Sequence, residues 1–380
     1  MFRATKVRIY PTESQAQFLK GQFGAVRFVY NKALYLKSRA YRKNGTKLNI
    51  RKDIQPLLPI AKKSRKYSWL AQYEANALVA PLQNLKKAFD AFFSPKLKGG
   101  YPKFKSKNGK QSSYHYQNVH VFDDSIKIPK LDKIKAKIHR EIVGSVRSIT
   151  ISLSPTGKFY ASILADDGVP EPENKQVINK AVGIDLGLSH YLIESNGRKT
   201  ENPRFLKNAE RNLKRKQRQL SRKKKGSANR AKARLLVAKC HEKLTNKRND
   251  FQHKLSRTIV DENQAVIVET LKSANMMKNK KLAKHIGDAA WHGFVSKLEY
   301  KLKAVGKHFI KVDQWFASSK TCSSCGYKAE EMPLSVRKWD CPSCGAKDID
   351  RDINAAINIK KKGIFEIKAA GLSSLLMEAA

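Results

Sequence analysis

Ala181-Val-Gly-Ile-Asp-Leu-Gly-Leu188 is a short apolar run that delivers one carboxylate, Asp185, against a following glycine. Four small or apolar residues bounded by turn-formers predict a buried strand. An acid at the end of such a strand is costly unless it is paired, hydrogen-bonded or bound to metal. Two further acids stand in comparable places: Glu269 closes the apolar run Ala265-Val-Ile-Val268, and Asp352 opens the helical pattern Asp352-Ile-Asn-Ala-Ala-Ile-Asn-Ile359. The three are expected to share divalent metal. Ala355 and Ala356 lie on the same helix face as Asp352, and side chains that small let a helix approach a sheet closely. Asp350 is the rival for the third position, but it precedes the helix and is expected to cap it, so Asp352 is preferred.

Outward from this run, strands alternate with helices. His190 to Glu194 and Lys199 read as strands around the turn Ser195-Asn-Gly197, and about Arg204 to Val260 reads as helix, intensely basic and broken at Lys223 to Ala228. A helix from Ala289 to Val305 carries Phe294, Leu298 and Leu302 on one face, and Lys307 to Phe316 reads as a further strand. This order predicts an α/β domain with a mixed sheet.

The N-terminal half differs. Arg3 to Tyr10 alternates as a strand, Thr12 and Gln15 are spaced as a capping box, and the pattern is then helical to about Phe93. Leu78, Leu82, Leu85, Phe89 and Phe92 form one apolar stripe, with Pro81 inside it predicting a kink or boundary. Gly99 to Lys110 interleaves lysines with aromatics, the composition of a nucleic-acid-facing loop and equally of an ordinary solvated one. Ser148 to Leu153 and Lys158 to Leu164 flank Ser154-Pro-Thr-Gly157 as a hairpin. A small β domain completed by the N-terminal strand, with the helical segment inserted, is expected. Val169-Pro-Glu-Pro-Glu173 reads as a linker.

With 77 Lys and Arg against 32 Asp and Glu, the 380-residue chain carries a formal charge of +45, while 41% hydrophobic content suffices for a folded core. Self-repulsion on that scale calls for a polyanionic partner. The sequence has neither a long apolar span nor a secretory apolar region, so nucleic acid is favoured over lipid. Charge runs are usually solvated helix faces, but an excess of one sign along residues 204–260 cannot be neutralised by i,i+4 pairs, and phosphate contact is expected there.

Cys322-x2-Cys325 and Cys341-x2-Cys344, fifteen residues apart, have the spacing of a tetrahedral four-thiolate zinc site. Gly326 and Gly345 follow the two pairs and allow tight knuckles. A closed site of this kind is structural. Redox Cys-x-x-Cys motifs are disfavoured because neither pair heads a helix after a strand. The fifth cysteine, Cys240, is expected to be a buried or half-buried helix residue.

Together, Gly183-Ile-Asp-Leu-Gly187, Val268-Glu-Thr-Leu271, Ser318-Ser-Lys-Thr-Cys-Ser-Ser-Cys-Gly326 and Asp350-Arg-Asp-Ile-Asn-Ala-Ala-Ile-Asn-Ile359 resemble the TnpB family of transposon-encoded, OrfB-type proteins related to the CRISPR type V effectors. Arg8-Ile-Tyr-Pro11 and Gly24-Ala-Val-Arg-Phe-Val-Tyr-Asn31 are similar to the family's opening segment, and the resemblance spans nearly the whole chain. It implies an α/β multidomain fold: an RNase H-like (RuvC) nuclease domain over residues 179–316 and 346–363, interrupted by a zinc ribbon at 317–345. A wedge-like β domain at 1–10 and 115–168 would carry an inserted helical bundle at 11–114, with a linker at 169–178 and a tail at 364–380. The implied activity is RNA-guided cleavage of double-stranded DNA beside a short transposon-adjacent motif, by a monomer on its guide RNA in a prokaryotic cytoplasm. The family's catalytic acids fall on Asp185, Glu269 and Asp352, and its zinc ligands on Cys322, Cys325, Cys341 and Cys344. Two Mg2+ ions would serve catalysis and one Zn2+ structure. The rival readings are a catalytically silent DNA-binding regulator or transposition accessory protein, and an unguided metal-dependent nuclease or transposase.

Overall fold

The computed structural model describes residues 1–97, 99–107, 112–117, 119–174, 178–333 and 335–371. Residues 108–110 of the basic loop, 175–177 of the expected linker and 372–380 of the expected tail lie outside the described residues. The chain divides into two compact units, Met1–Pro170 and Glu171–Ala380.

In the first unit, β1 (Phe2–Tyr10) buries Val7 and Ile9 and turns Lys6 and Tyr10 outward. Thr12 and Gln15 form the capping box of α1 (Glu13–Asn44), and Gly45 closes that helix in the left-handed region at φ 66°. A π-turn (Ile50–Ile54), α2 (Leu57–Lys63) and a 3-10 turn (Ser68–Gln72) lead to α3 (Ala75–Phe93). The expected stripe of α3 is buried as far as Phe89, and the helix continues across Pro81; Phe92, however, is exposed. Strands β2 (Ser112–Tyr116), β3 (His120–Val121), β4 (Ser125–Lys127), β5 (Ile134–Lys137), β6 (Ser145–Leu153) and β7 (Phe159–Asp166) then complete an antiparallel sheet in the order β2-β6-β7-β1-β5-β4-β3. The sheet's inner residues, such as Ile9, Ile149 and Ile163, share one core with Leu19, Phe23 and Leu82 of the helices.

The second unit is built on β8 (Ala181–Asp185), β9 (His190–Glu194), β10 (Lys199–Glu201), β11 (Ala265–Glu269) and β12 (His308–Val312), in the order β10-β9-β8-β11-β12. β11 runs parallel to β8 and β12, while β9 is antiparallel to β8 and β10, so the sheet is mixed as expected. Between β10 and β11 stand the basic helices α4 (Phe205–Ser221) and α5 (Ala228–Glu262). After β11 come α6 (Ser273–Met276), α7 (Ala283–Ala289) and α8 (Trp291–Lys303), then, beyond β12, β13 (Lys338–Trp339), β14 (Ile349–Asp350) and α9 (Arg351–Ala369).

Several boundaries differ from expectation: β2 begins at Ser112, inside the segment expected to be a helical bundle through 114. The strand expected to reach Phe316 ends at Val312, because Asp313 turns the chain by accepting the Trp315 N–H at 2.8 Å on its side chain and the Phe316 N–H at 3.2 Å on its carbonyl. The helix expected from Ala289 begins at Trp291, after Ala290 breaks the run at φ 51°. α9 takes in residues 364–369 of the expected tail, and Ile367 is buried in its core.

Candidate active site

Strand alternation decides which side of the second sheet each acid occupies. Val182 and Ile184 of β8 and Val266 and Val268 of β11 enter the core formed with α5 and α8. Ala265 and Ile267 instead pack with Ile359 and Ile367 of α9. Successive side chains on a strand alternate between faces, so Asp185 and Glu269, each one residue further on, turn toward α9. Ile184 and Val268 are partners in the parallel pair, which leaves the two acids side by side and joined by a hydrogen bond between their carboxyls. Such a bond needs one proton between them. Burial raises the pKa of both groups, the nearby Asp352 charge pushes Asp185 further up, and the Asp185 charge does the same to Glu269.

Asp352 reaches this pair because α9 lies against the strands. A Cβ at Gly183 would run into the Ala356 carbonyl, and one at Gly363 would collide with the Ile267 side chain. Ala355 and Ala356 are fully buried in the contact. Asp350 is the N-cap: its Oδ1 accepts the N–H groups of Asp352 at 3.1 Å and Ile353 at 3.0 Å, and its Oδ2 pairs with Lys199 at 2.5 Å. That leaves the half-buried Asp352 carboxyl available on the first turn, with Arg337 at 3.7 Å as its ion-pair partner. The structure thus brings Asp185 and Glu269 into contact and Asp352 within electrostatic range of Asp185. Glu194, another buried acid, sits opposite Ile184 on β9 and therefore on the other face, where Asn196 donates to it at 3.2 Å.

The donor set is all oxygen, as hard divalent cations require, and the mutual repulsion within it is what a dication would relieve. It is open: among the described residues, the potential ligand atoms that all lie within 4.8 Å of one another are those of Cys322, Cys325, Cys341 and Cys344. Those four thiols form a zinc-ribbon-like cluster, with Sγ–Sγ distances of 3.8 Å for Cys322 to Cys344 and 3.6 Å for Cys325 to Cys341. Each knuckle repeats one geometry. Gly326 donates to the Cys322 carbonyl at 2.9 Å and Gly345 to that of Cys341 at 3.0 Å, both glycines at positive φ. Burial disfavours a thiolate at Cys322, but the Cys325 and Ser324 N–H groups bring it down to about 6. The Ala346 N–H favours a thiolate at Cys344, yet the Cys325 and Cys341 sulfurs push it up to about 12. Four thiolates this close need a cation among them, and the set fits one tetrahedral zinc.

The reading from sequence missed the residues that fasten this cluster to α9. Asn354 accepts the Ser323 N–H at 2.8 Å and donates to the Thr321 carbonyl at 2.7 Å; Asn358 donates to the Thr321 carbonyl at 2.6 Å and the Ser318 carbonyl at 2.8 Å. Arg351, also buried, donates to the Pro333 carbonyl at 3.0 Å. The signal was present: two asparagines four apart on the apolar face of a helix are poor helix formers that burial would punish without partners.

Elsewhere in this unit, Lys207, Arg211, Lys214, Arg215, Arg218 and Arg222 line a groove of about 810 Å³ along α4. Its one acid, Glu210, is held down to about 2 by Lys214 and Lys284, so the face stays strongly positive. Cys240 is a half-buried helix residue on α5, as expected.

Over 368 residues the chain is 38% identical to a Streptomyces pristinaespiralis protein named "Putative RNA-guided DNA endonuclease", covering 95% of this chain and 89% of that one. The chain belongs to the OrfB-type TnpB family. Family models described as "Probable transposase", "Cas12f1-like, TNB domain" and "Helix-turn-helix domain" match residues 165–280, 291–359 and 1–46. In the structure, residues 1–46 hold one strand and one 32-residue helix. Another TnpB-family relative, "Putative RNA-guided DNA endonuclease InsQ" of Escherichia coli (strain K12), is 28% identical over 379 residues, covering 95% of this chain and 92% of its own. The fold is similar to that in a "Cas12f1-sgRNA-target DNA complex", with a TM-score of 0.54 at 17% identity over 92% of this chain and 83% of that one.

Proposed function

We propose that this protein is an RNA-guided DNA endonuclease that cuts double-stranded DNA beside a short transposon-adjacent motif. Asp185, Glu269 and Asp352 would be the metal-binding carboxylates of an RNase H-like (RuvC) nuclease domain formed by residues 179–316 and 346–363. One observation carries the reading: acids from two neighbouring parallel strands and one helix N-terminus, far apart in sequence, converge on one face of the sheet at an electrostatic cost.

Divalent metal, two Mg2+ ions in this reading, would supply an acidified water and a counter-charge for the leaving oxygen. Asp185, central in the sheet, would hold the metal together with Glu269 and Asp352. Asp350 spends its oxygens on the helix cap and Lys199, which fixes the start of α9 and so the placement of Asp352. Cys322, Cys325, Cys341 and Cys344 would hold one structural Zn2+, and Asn354 and Asn358 transmit that anchoring to the helix bearing the third acid. The net charge of +45 suits a protein that holds a guide RNA and its heteroduplex through phosphates while base pairing reads sequence. Residues 317–345 would be the inserted ribbon, 1–10 and 115–168 the wedge-like domain, 11–114 the recognition segment and 169–178 the linker. The protein would act as a monomer on the RNA.

The test is to sequence the RNA that copurifies with the protein and to challenge the complex with plasmids matching its guide segment. The expected result is one defined RNA species and Mg2+-dependent cutting of matched plasmids alone, abolished in Asp185→Ala. Cutting that ignores the guide would favour an unguided nuclease, and undiminished cutting by the variant would remove the site.

A further inference from the structure

We propose that the aromatic cluster at the C-terminal end of α3 is a stacking platform for unpaired bases of single-stranded nucleic acid. This rests on the reading of the chain as a nucleic-acid binder and is independent of cleavage.

Phe89 is buried, but Phe92 is 37% and Phe93 68% exposed. The Phe93 ring stacks on Phe89 at 6.2 Å and 19°, and Phe92 meets it edge-on at 5.0 Å. Tyr101, on the loop that follows, packs edge-on against Phe92 at 5.4 Å and Phe89 at 5.6 Å, and its hydroxyl is hydrogen-bonded to Ser38 at 2.7 Å. The loop is pinned at both ends of this contact. Gly99 donates to the Ala91 carbonyl at 3.1 Å, so close that a Cβ at Gly99 would meet the Ala91 backbone at 2.8 Å. Asn31 accepts the Lys105 N–H at 2.8 Å and donates to its carbonyl at 2.9 Å, which leaves Phe104 62% exposed on a fixed backbone.

Rings held rigidly in water gain nothing from folding, so a cluster of them marks a surface for a partner. The charge around it indicates which. Lys37, over the buried Phe89 ring, is engaged by the Leu48 carbonyl, but Lys96 and Lys103 stand exposed on the loop. The neighbouring acid, Asp90, is engaged by Lys86 at 2.7 Å. An apolar protein face would strip water from these cations without repaying it, whereas a single strand offers bases to the rings and phosphates to the lysines. Paired bases would present only edges and backbone, so the fit is to unpaired ones.

The experiment uses the full-length, zinc-loaded protein in buffer free of Mg2+, at about 0.3 M salt to suppress phosphate-only binding. Anisotropy is read on a labelled single strand of about twelve nucleotides and on the same strand made abasic at its centre. The base-bearing strand should bind about tenfold tighter, and Phe93→Ala should erase most of that difference while leaving the abasic strand unaffected. Phe93→Trp should keep it, with fluorescence quenched by the base-bearing strand alone. Equal loss on both strands, no loss on either, or altered self-association in sedimentation with strand binding intact would each overturn the proposal; the last would make the patch a contact between copies. A protein that fails to cut DNA but passes here would sink the nuclease reading and leave the platform standing.

Discussion

The cysteine cluster and the acid group both lie in the second unit, yet they are assembled differently. The four cysteines come from two local knuckles, and their sulfurs all lie within 4.8 Å of one another. The acids come from three separate elements: Asp185 and Glu269 lie side by side, and Asp352 is ion-paired with Arg337 at 3.7 Å. A closed thiolate set stores folding energy in its metal, whereas an open carboxylate set keeps room for substrate and tolerates strain for it. The asparagine clamp of α9 joins the two, so damage to the first should reach the second.

The comparison breaks most sharply if one acid is removed. Asp185→Ala should cut DNA at least ~10³-fold more slowly while binding nucleic acid normally, as measured by plasmid cleavage beside binding anisotropy. Cys322→Ser should lose zinc, read by metal analysis, and lower cutting by ~10–100-fold through misplacement of Asp352, with the rest of the unit still folded by circular dichroism.

The metal-free acid pair also sets a pH dependence. Burial and mutual repulsion raise Asp185 to about 6 and Glu269 to about 8 in the folded chain. The folded state therefore holds more protons than the unfolded one across that range, and its stability falls as pH rises from about 5 to 8. The loss should be several kcal/mol, recovered by Mg2+ and flattened in Asp185→Asn, as read by denaturant unfolding of the zinc-loaded protein in Mg2+-free buffer. Asn354→Ala should cost about 1–2 kcal/mol, because it leaves the Ser323 N–H without its side-chain acceptor, while the Thr321 carbonyl keeps Asn358. Arg337→Ala should move stability by under about 0.5 kcal/mol, since the pair at 3.7 Å is largely exposed on the arginine side. It should tighten Mg2+ binding slightly by removing a competing cation.

The strands carrying Asp185 and Glu269 were legible because both are buried on two faces and so read as unbroken apolar runs. The cap at Asp350 and the small face at Ala355 and Ala356 were legible because each follows from local helix chemistry. Phe92 was misjudged: its spacing continues the apolar stripe, but on the last turn of α3 it is covered only in part, by Phe93 and Tyr101, and periodicity carries no information about where a neighbour ends. The extent of β12 and the break at Ala290 were hidden for a similar reason, since a side-chain turn at Asp313 and a left-handed residue with a Cβ are choices the surroundings impose.

Sequence alone determined the chain's cationic character, its two thiolate pairs and the identity of the three acids, because charge, ligand spacing and strand composition are properties of neighbouring residues. Only the tertiary structure decided that Asp185 and Glu269 share a face, that α9 brings Asp352 within electrostatic range of Asp185, and that two asparagines tie the ribbon to that helix. Those outcomes depend on strand register and on contacts between segments more than thirty residues apart. Local pattern is blind to both.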